Sequence, residues 1–359
     1  MAVSVEPTIE LRNEQAAVTH VESSTVGDAL LSLWSRNLPG VAPCRFDWLY
    51  ATGQSEAWLL KDSGRGVIGS TGLLRRRLML SGEIVESAAV IDWNVDHLRR
   101  SIGKEFSLAR EPARFADENQ WPMTYAVCDR TLASVLNLAK YHPVAEWSLW
   151  SKRLCCESLL AARLRSPLMA KLLRPFVNTA MKVASSDWLF SLPANVVAES
   201  VTEFDERFDR LWQVAASRFE VLGERTAVAL NWRFGRCPTQ AYSIFTLVEK
   251  SSRELIGYVV WHQHDGVISI ADLLAVNDAQ TVLLLAEFSR QMRFSGAISL
   301  EMSGAIPADF APTLDAAGFR SRPTGRSVLA RSRKPNPEET ESAALPQQWF
   351  MTAADMDVD

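Results

Sequence analysis

Residues 83–110 read EIVESAAVIDWNVDHLRRSIGKEFSLAR, and this stretch decides the fold. Its first part, Glu83 to Val95, is apolar and β-branched, the composition of a buried strand. Asp92 and Asn94 break the run. Asp96 to Gly103 then brings basic and small residues, with Phe106 and Leu108 following at helical spacing. A strand that turns straight into a helix leaves the first N–H groups of that helix free, and these make an anion site. Arg99 and Arg100 stand at that turn, and guanidinium pairs with phosphate bidentately.

Val95, Arg100 and Gly103 occupy relative positions 0, 5 and 8. This spacing resembles the pyrophosphate motif of the GNAT acyltransferases, V-x-x-x-x-(Q/R)-x-x-G-x-(G/A), with Glu105 in the last place. The resemblance implies that acetyl-CoA or another acyl-CoA binds here as co-substrate. Asn94 and Val95 would meet the thioester, and Arg99, Arg100, Ser101, Ile102, Gly103 and Lys104 would cradle the diphosphate.

The chain around this stretch supports the same topology. Residues 25–38 carry Val26, Leu30, Leu33, Trp34 and Leu38 at helical spacing. Ala57–Lys61 and Val67–Leu80 read as strands joined at Asp62-Ser63-Gly64, and Ser81-Gly82 is a tight turn. After a polar loop at 111–119 come a strand (Met123–Val127), a helix (Thr131–Lys140) and a final strand (Ala145–Leu154). Gly64, Gly66 and Gly69 spell GxGxxG, but a turn precedes and a strand follows, so no dinucleotide fingerprint is expected.

The order then repeats. A helix at 205–219 precedes strands at 242–249, 256–262 and 267–274, with the hairpin signal Asp265-Gly266 between the last two. A helix (278–294), a short strand (297–301), a helix (309–317), Gly318-Phe319 and a strand (327–330) complete it. The expected class is α/β (α+β): two GNAT-like domains, each a mixed, mostly antiparallel sheet flanked by helices. The expected divisions are a flexible segment 1–22, a first, acyl-CoA-binding domain 23–156, and a basic helical connector 157–193. A second domain, 194–331, carries a degenerate cofactor loop, since 275–280 has neither glycine nor a basic residue. A linker and docking tail, 332–359, ends in a Trp349-Phe350-Met351 cluster and three acids. The segment around 230–242 and the tail resemble tandem-GNAT proteins of polysaccharide or natural-product biosynthesis, themselves distantly like peptidoglycan-bridge aminoacyl transferases.

Acyl transfer to an amine needs a base, an oxyanion donor and a source of a proton for the leaving thiolate. Glu86 and Asp92, six residues apart, share a face of an unbulged strand and are candidate bases. The resemblance places a general acid near Asn137 or Tyr141, and Tyr141 is the choice. Asn231, Trp232, Arg233 and Tyr242 are candidates for holding a polar small-molecule or saccharide acceptor. The alternative reading is a non-catalytic tandem-GNAT binding or scaffold protein whose cofactor loop has decayed, as Glu105 allows.

Composition bounds the rest. The chain has 359 residues, 47% of them hydrophobic, and a net charge of −4, which gives no general pull toward nucleic acid. Five cysteines without CxxC spacing imply neither a disulfide framework nor a zinc site, and a reducing cytoplasm is the expected setting. His262 and His264 alternate on a strand without a third ligand, so no metal is expected. No apolar run reaches the ~18 residues of a membrane span. Residues 158–186, with Arg163, Arg165, Lys171, Arg174 and Lys182 and no acid, could cover a domain interface or contact an anionic membrane surface.

Overall fold

One mixed sheet runs through the whole chain. The computed structural model describes residues 17–21, 27–38, 40–62, 66–155, 185–333 and 345–356. In chain order the first run contains β1 (Ala17–Val21), α1 (Gly27–Asn37), and α2 (Cys44–Phe46), which continues as a π-helical turn (Asp47–Ala51). Then come β2 (Ser55–Asp62), β3 (Gly66–Leu80), β4 (Glu83–Val95), α3 (Ile102–Glu118), β5 (Met123–Cys128), α4 (Arg130–Leu138) and β6 (His142–Arg153). The second run contains β7 (Val196–Val201), α5 (Glu206–Ala216), β8 (Val221–Gly223), and α6 (Ala227–Leu230) with its own π-helical turn (Asn231–Gly235). It ends with β9 (Ser243–Glu249), β10 (Leu255–His264), β11 (Val267–Ala275), α7 (Asp278–Phe294), β12 (Ser299–Gly304), α8 (Ala311–Ala316), β13 (Arg320–Ser332) and β14 (Trp349–Phe350). The architecture is α/β, a large sheet flanked by helices on both faces.

The hairpins form where the turn chemistry demands. Ser81 and Gly82 have φ 50° and 92°, and Asp265 and Gly266 have 47° and 79°. Two consecutive positive φ values match the twist of antiparallel strands. In each run the third strand of the meander then pairs in parallel with the strand after the long helix: β4 with β5, and β11 with β12.

The strand order is β1-β2-β3-β4-β5-β13-β6-β12-β11-β10-β9-β7. Each run therefore lends its last strand to the other. β13 lies between β5 and β6, and β6 lies between β13 and β12. A division at residue 156 separates the runs along the sequence but cuts through this exchange in space.

Three expectations need correction. Residues 111–119, read as a loop, complete α3. Leu108, Ala109, Pro112, Ala113 and Ala116 keep one buried stripe, while Glu111 and Glu118 pair with Arg114 on the solvent side. Residues 17–21, read as frayed, pair with β2, and His20 stacks on Trp58 at 4.8 Å. The last strand begins at Arg320 rather than Ser327, because its polar first half pairs along β6 past a bulge between Pro323 and Arg326. The basic connector falls mostly at 156–184 and the linker at 334–344, both outside the described residues.

The tail is part of the core. Trp349 and Phe350 are buried and pair in parallel with β8, whose other edge pairs with β3. Arg225, itself 1% exposed, then ties the tail to β11. Its Nη1 and Nη2 donate to the Asp355 carboxylate at 2.8 and 2.6 Å, and its Nε lies 3.0 Å from Asp272 Oδ2. Thr352 Oγ1 and the Tyr258 hydroxyl donate to the two oxygens of Asp272, each at 2.6 Å. Burial opposes a charged Arg225, but the two carboxylates hold its pKa well above the ordinary value. Gly223 is required here, since a Cβ would overlap Asp355 Oδ1. Breaking a buried pair from one side costs about 3–5 kcal/mol. Arg225→Ala is expected to lower the stability measured by urea unfolding by that amount, and an unchanged midpoint would show that the tail is held by other contacts.

Candidate functional site

The site begins where β4 and β5 part. Their parallel pairing covers only Ser87–Ala89 against Met123–Tyr125. β4 continues to Val95, and no described strand pairs with its β5-facing edge beyond Ala89. Backbone polar groups on such an edge are open to a ligand.

A β-bulge lies at the same level. The register runs Ser70↔Asn94 and then Gly72↔Ile91, so β4 carries one extra residue around Asp92. Asp92 has φ 51°, a left-handed value that aspartate tolerates better than most residues. Strand alternation alone would put Asp92 beside Val90, on the face covered by α3. The left-handed turn sends it to the opposite face, among Phe46, Tyr50 and Trp34. There Arg45 Nη1 donates to Asp92 Oδ1 at 2.5 Å and the Tyr50 hydroxyl to Oδ2 at 2.7 Å. The carboxylate is 4% and the guanidinium 7% exposed. Gly72 makes room: a Cβ there would lie 2.5 Å from the Tyr50 hydroxyl.

β11 has a similar bulge, at Ala271 between Trp261↔Ile270 and Val260↔Asp272. Gly69 opposite Val95 corresponds to Gly257 opposite Ala275, which aligns Asp92 with Asp272. The tail fills the space over Asp272 through Thr352.

Past Val95 the chain makes a 3-10 turn, His97–Arg99, and enters α3. Ser101 caps the helix, its hydroxyl accepting from the Lys104 amide. Arg100 Nε donates to the Val95 carbonyl at 3.3 Å, and Lys104 Nζ donates to Asp62 at 3.2 Å. Gly103 has open space where a Cβ would stand. Leu98 and Ile102 are exposed. Glu105 is buried on the first turn. Asn94 is also buried, and its Nδ2 has no partner among the described residues. A groove of about 600 Å³ adjoins the turn on the α1 side. The second run goes from β11 to α7 through Val276 and Asn277 alone and offers no basic residue.

The three residues proposed for catalysis do not converge. Glu86 and Asp92 do not share a face, because the bulge intervenes. They are also about 20 Å apart along the strand, at roughly 3.3 Å per residue. Tyr141 is buried, accepts from Thr124 Oγ1 at 3.0 Å, and has its pKa raised by burial. Asp117, whose charge acts on Tyr141, sits in the last turn of α3. That is about 22 Å from the helix start at 1.5 Å rise per residue.

The acceptor candidates divide. Asn231 is spent on the backbone of Phe204, accepting from its N–H and donating to its carbonyl. Tyr242 packs edge-on against Phe234 and His262. Trp232 stacks on Trp48 at 4.8 Å with Arg76 over its ring, and Trp48 Nε1 donates to the Trp232 carbonyl. Arg233 donates to the carbonyls of Ala353 and Met356. Trp232 and Arg233 line a cavity of about 310 Å³ together with Glu86, Arg75, Arg76 and Arg77. The cavity lies at the outer edge of β3, between β2, which pairs up to Leu74, and β8, which pairs from Leu78. Arg77 is bonded to Glu224, which raises its pKa.

Sequence reasoning missed Arg45, Tyr50 and the Arg75–Arg77 cavity. A signal was present: FDWLY at 46–50 recurs as LNWRF at 230–234, and the two tryptophans meet.

The sequence matches no protein-family model and no curated protein. Its fold is shared by many solved structures. One is a protein from Enterococcus faecalis described as a probable N-acyltransferase, with 11% identity and TM-score 0.65 over 89% of this chain and 72% of that one. Another is Saccharomyces cerevisiae N-myristoyltransferase with bound myristoyl-CoA, with 10% identity and TM-score 0.55 over 96% and 85%. A third is a tandem GNAT protein from the clavulanic acid pathway, with 14% identity and TM-score 0.51 over 90% and 100%. At these identities the likeness is one of fold, and the fold is that of the GNAT structures.

The Asp92 tether generates a direct test. Arg45→Ala leaves a buried carboxylate without its cation, at a cost of about 3–5 kcal/mol. Thermal unfolding should show a drop far larger than for Glu86→Gln, whose side chain is exposed; equal effects would mean that Asp92 does not depend on Arg45.

Proposed function

We propose that the protein is a CoA-dependent N-acyltransferase with its transfer site in the first run. The observation that carries this reading is the coincidence of two features on one strand. A bulge and an unpaired edge at 90–95 are followed at once by a capped helix start carrying Arg99, Arg100, Ser101, Gly103 and Lys104.

In this reading Arg100 and the α3 amides hold the diphosphate of an acyl-CoA, such as acetyl-CoA, and the pantetheine arm enters between β4 and β5. The backbone N–H of Val95, on the edge of β4 away from β3, meets the thioester oxygen and stabilises the charge that develops on it. Asp92 is spent on Arg45 and Tyr50, so it positions the bulge rather than acting as a strong base. The acceptor ammonium releases one proton to solvent before attack; the amine nitrogen bonds to the acyl carbon as the carbon–sulfur bond breaks, and the nitrogen's surplus proton passes through solvent to the departing sulfur. The thiolate leaves as CoA.

The cavity beside Trp232 suits the rest of the acceptor. Its Arg76 wall is four residues from Gly72, about 13 Å along β3. The acceptor is therefore an extended amine, of a sugar, amino acid or natural product, with polar groups facing Glu86, Arg75 and Arg77. Arg233 and Trp232 hold the shape of that cavity rather than reach the reacting atoms.

Isothermal titration with acetyl-CoA tests the proposal. Micromolar binding, weakened about tenfold or more by Arg100→Ala, is the expected result, since one charge-assisted hydrogen bond is worth ~1.5–3 kcal/mol. No binding at millimolar ligand would favour the scaffold reading, in which the buried Glu105 closes the helix start to phosphate.

A further inference from the structure

The far end of α7 carries an apolar cluster that the transfer site does not use. A 3-10 turn, Ser186–Leu189, packs beside the C-terminal part of that helix. Arg290 Nη1 fastens it there, donating to the carbonyls of Asp187 and Phe190. Between those two anchors stand Trp188 and Leu189, 44% and 81% exposed, and Phe294 at the end of α7 is 75% exposed. Arg290 and Phe294 are four residues apart, so they share a face of the helix. Three bulky apolar side chains thus meet solvent around one spot.

Arg293 ties the same spot to the chain around it. Its Nη1 donates to the Leu154 carbonyl at 2.6 Å, and its Nη2 to Ser185 Oγ at 3.3 Å and Asp187 Oδ2 at 2.9 Å. One guanidinium therefore touches the chain both just before residue 156 and just after residue 184. The intervening sequence carries Arg163, Arg165, Lys171, Arg174 and Lys182 against one acid, Glu157. Two carboxylates packed at the spot are already paired, Asp187 with Lys152 and Arg293, and Glu287 with Arg290. The chain as a whole has a net charge of −4, so this excess of cations is local.

We infer that this face docks on an anionic lipid bilayer, with Trp188, Leu189 and Phe294 entering the headgroup region. Leu189 and Phe294 project from the surface rather than line a pocket, and a fluid bilayer closes around such side chains whatever their arrangement. Tryptophan suits the headgroup level, where its ring is apolar and its N–H is wet. The basic sequence that starts and ends at the cluster favours an anionic surface over a neutral one. The rest of the chain carries the net negative charge and is repelled by that surface, so the protein settles in one orientation. Acyl-CoA binding at the start of α3 involves other residues, and the docking does not depend on it.

Sedimentation of the full chain with vesicles tests this. Two compositions serve, phosphatidylcholine alone and phosphatidylcholine with about one-third phosphatidylserine. The chain should sediment with the second and stay in solution with the first, and ~1 M salt should release it. Leu189→Asp combined with Phe294→Asp should weaken binding about tenfold or more, at an unchanged melting temperature. Leu189→Ser, a milder change, should weaken it less and carries the test if the double variant melts early. Equal binding to both vesicles, undiminished binding by the variants, or failure to sediment with either vesicle overturns the assignment. A wild-type dimer that the double variant converts to a monomer, seen by light scattering, gives this face to a second copy and overturns it as well.

Discussion

The structure depends on a buried aspartate at a bulge. Asp92 and Asp272 stand at corresponding places on β4 and β11, and each is held by an arginine and a tyrosine. A carboxylate removed from water is costly unless it is paired and fully hydrogen-bonded. The tethers meet that condition, and in doing so they fix where the strand buckles and where its edge comes free. The partners differ in origin: Arg45 lies on α2 and Tyr50 within the π-helical turn that follows it, whereas Arg225 precedes the other π-helical turn and Tyr258 lies on β10. The geometry is repeated although the tethers are not.

The consequences diverge between the two runs. Over Asp272 the chain lays its own tail, and Thr352 and Asp355 complete a buried hydrogen-bond network with Arg225. Over Asp92 the strand leads instead to a long turn with two arginines and a capped helix. One bulge thus lies under the chain's own tail, and the other is followed by the open strand edge and the α3 start. The exchange of β6 and β13 joins the two through the centre of the sheet, and the Trp48–Trp232 stack does the same between the two π-helical turns.

Much of the fold was legible. Apolar runs mark β2 to β4, Ser81-Gly82 marks the turn between β3 and β4, and Asp265-Gly266 that between β10 and β11. The strand–helix junction at 95–103 carries its own cap and spacing. What could not be read depends on partners distant in sequence. Nothing in β6 or β13 says that each pairs across the runs, because strand pairing is set by the whole sheet. The bulge is encoded only by one aspartate amid apolar residues, and even strand alternation puts Glu86 and Asp92 on one face. Tyr141 was located by analogy with a helix end, yet the length of α3 carries it to the far end from the turn. Arg45 and Tyr50 lie in a short segment without periodicity, and only the echo of FDWLY in LNWRF marks that segment out.

The central claim is that ligand binding belongs to the β4–α3 junction of the first run and not to its counterpart. Amide hydrogen exchange with and without saturating acetyl-CoA measures this residue by residue. Added protection confined to about 90–105 and the facing part of α1 is the predicted result. Protection that appears at 270–280 instead, or nowhere in the chain, would contradict it.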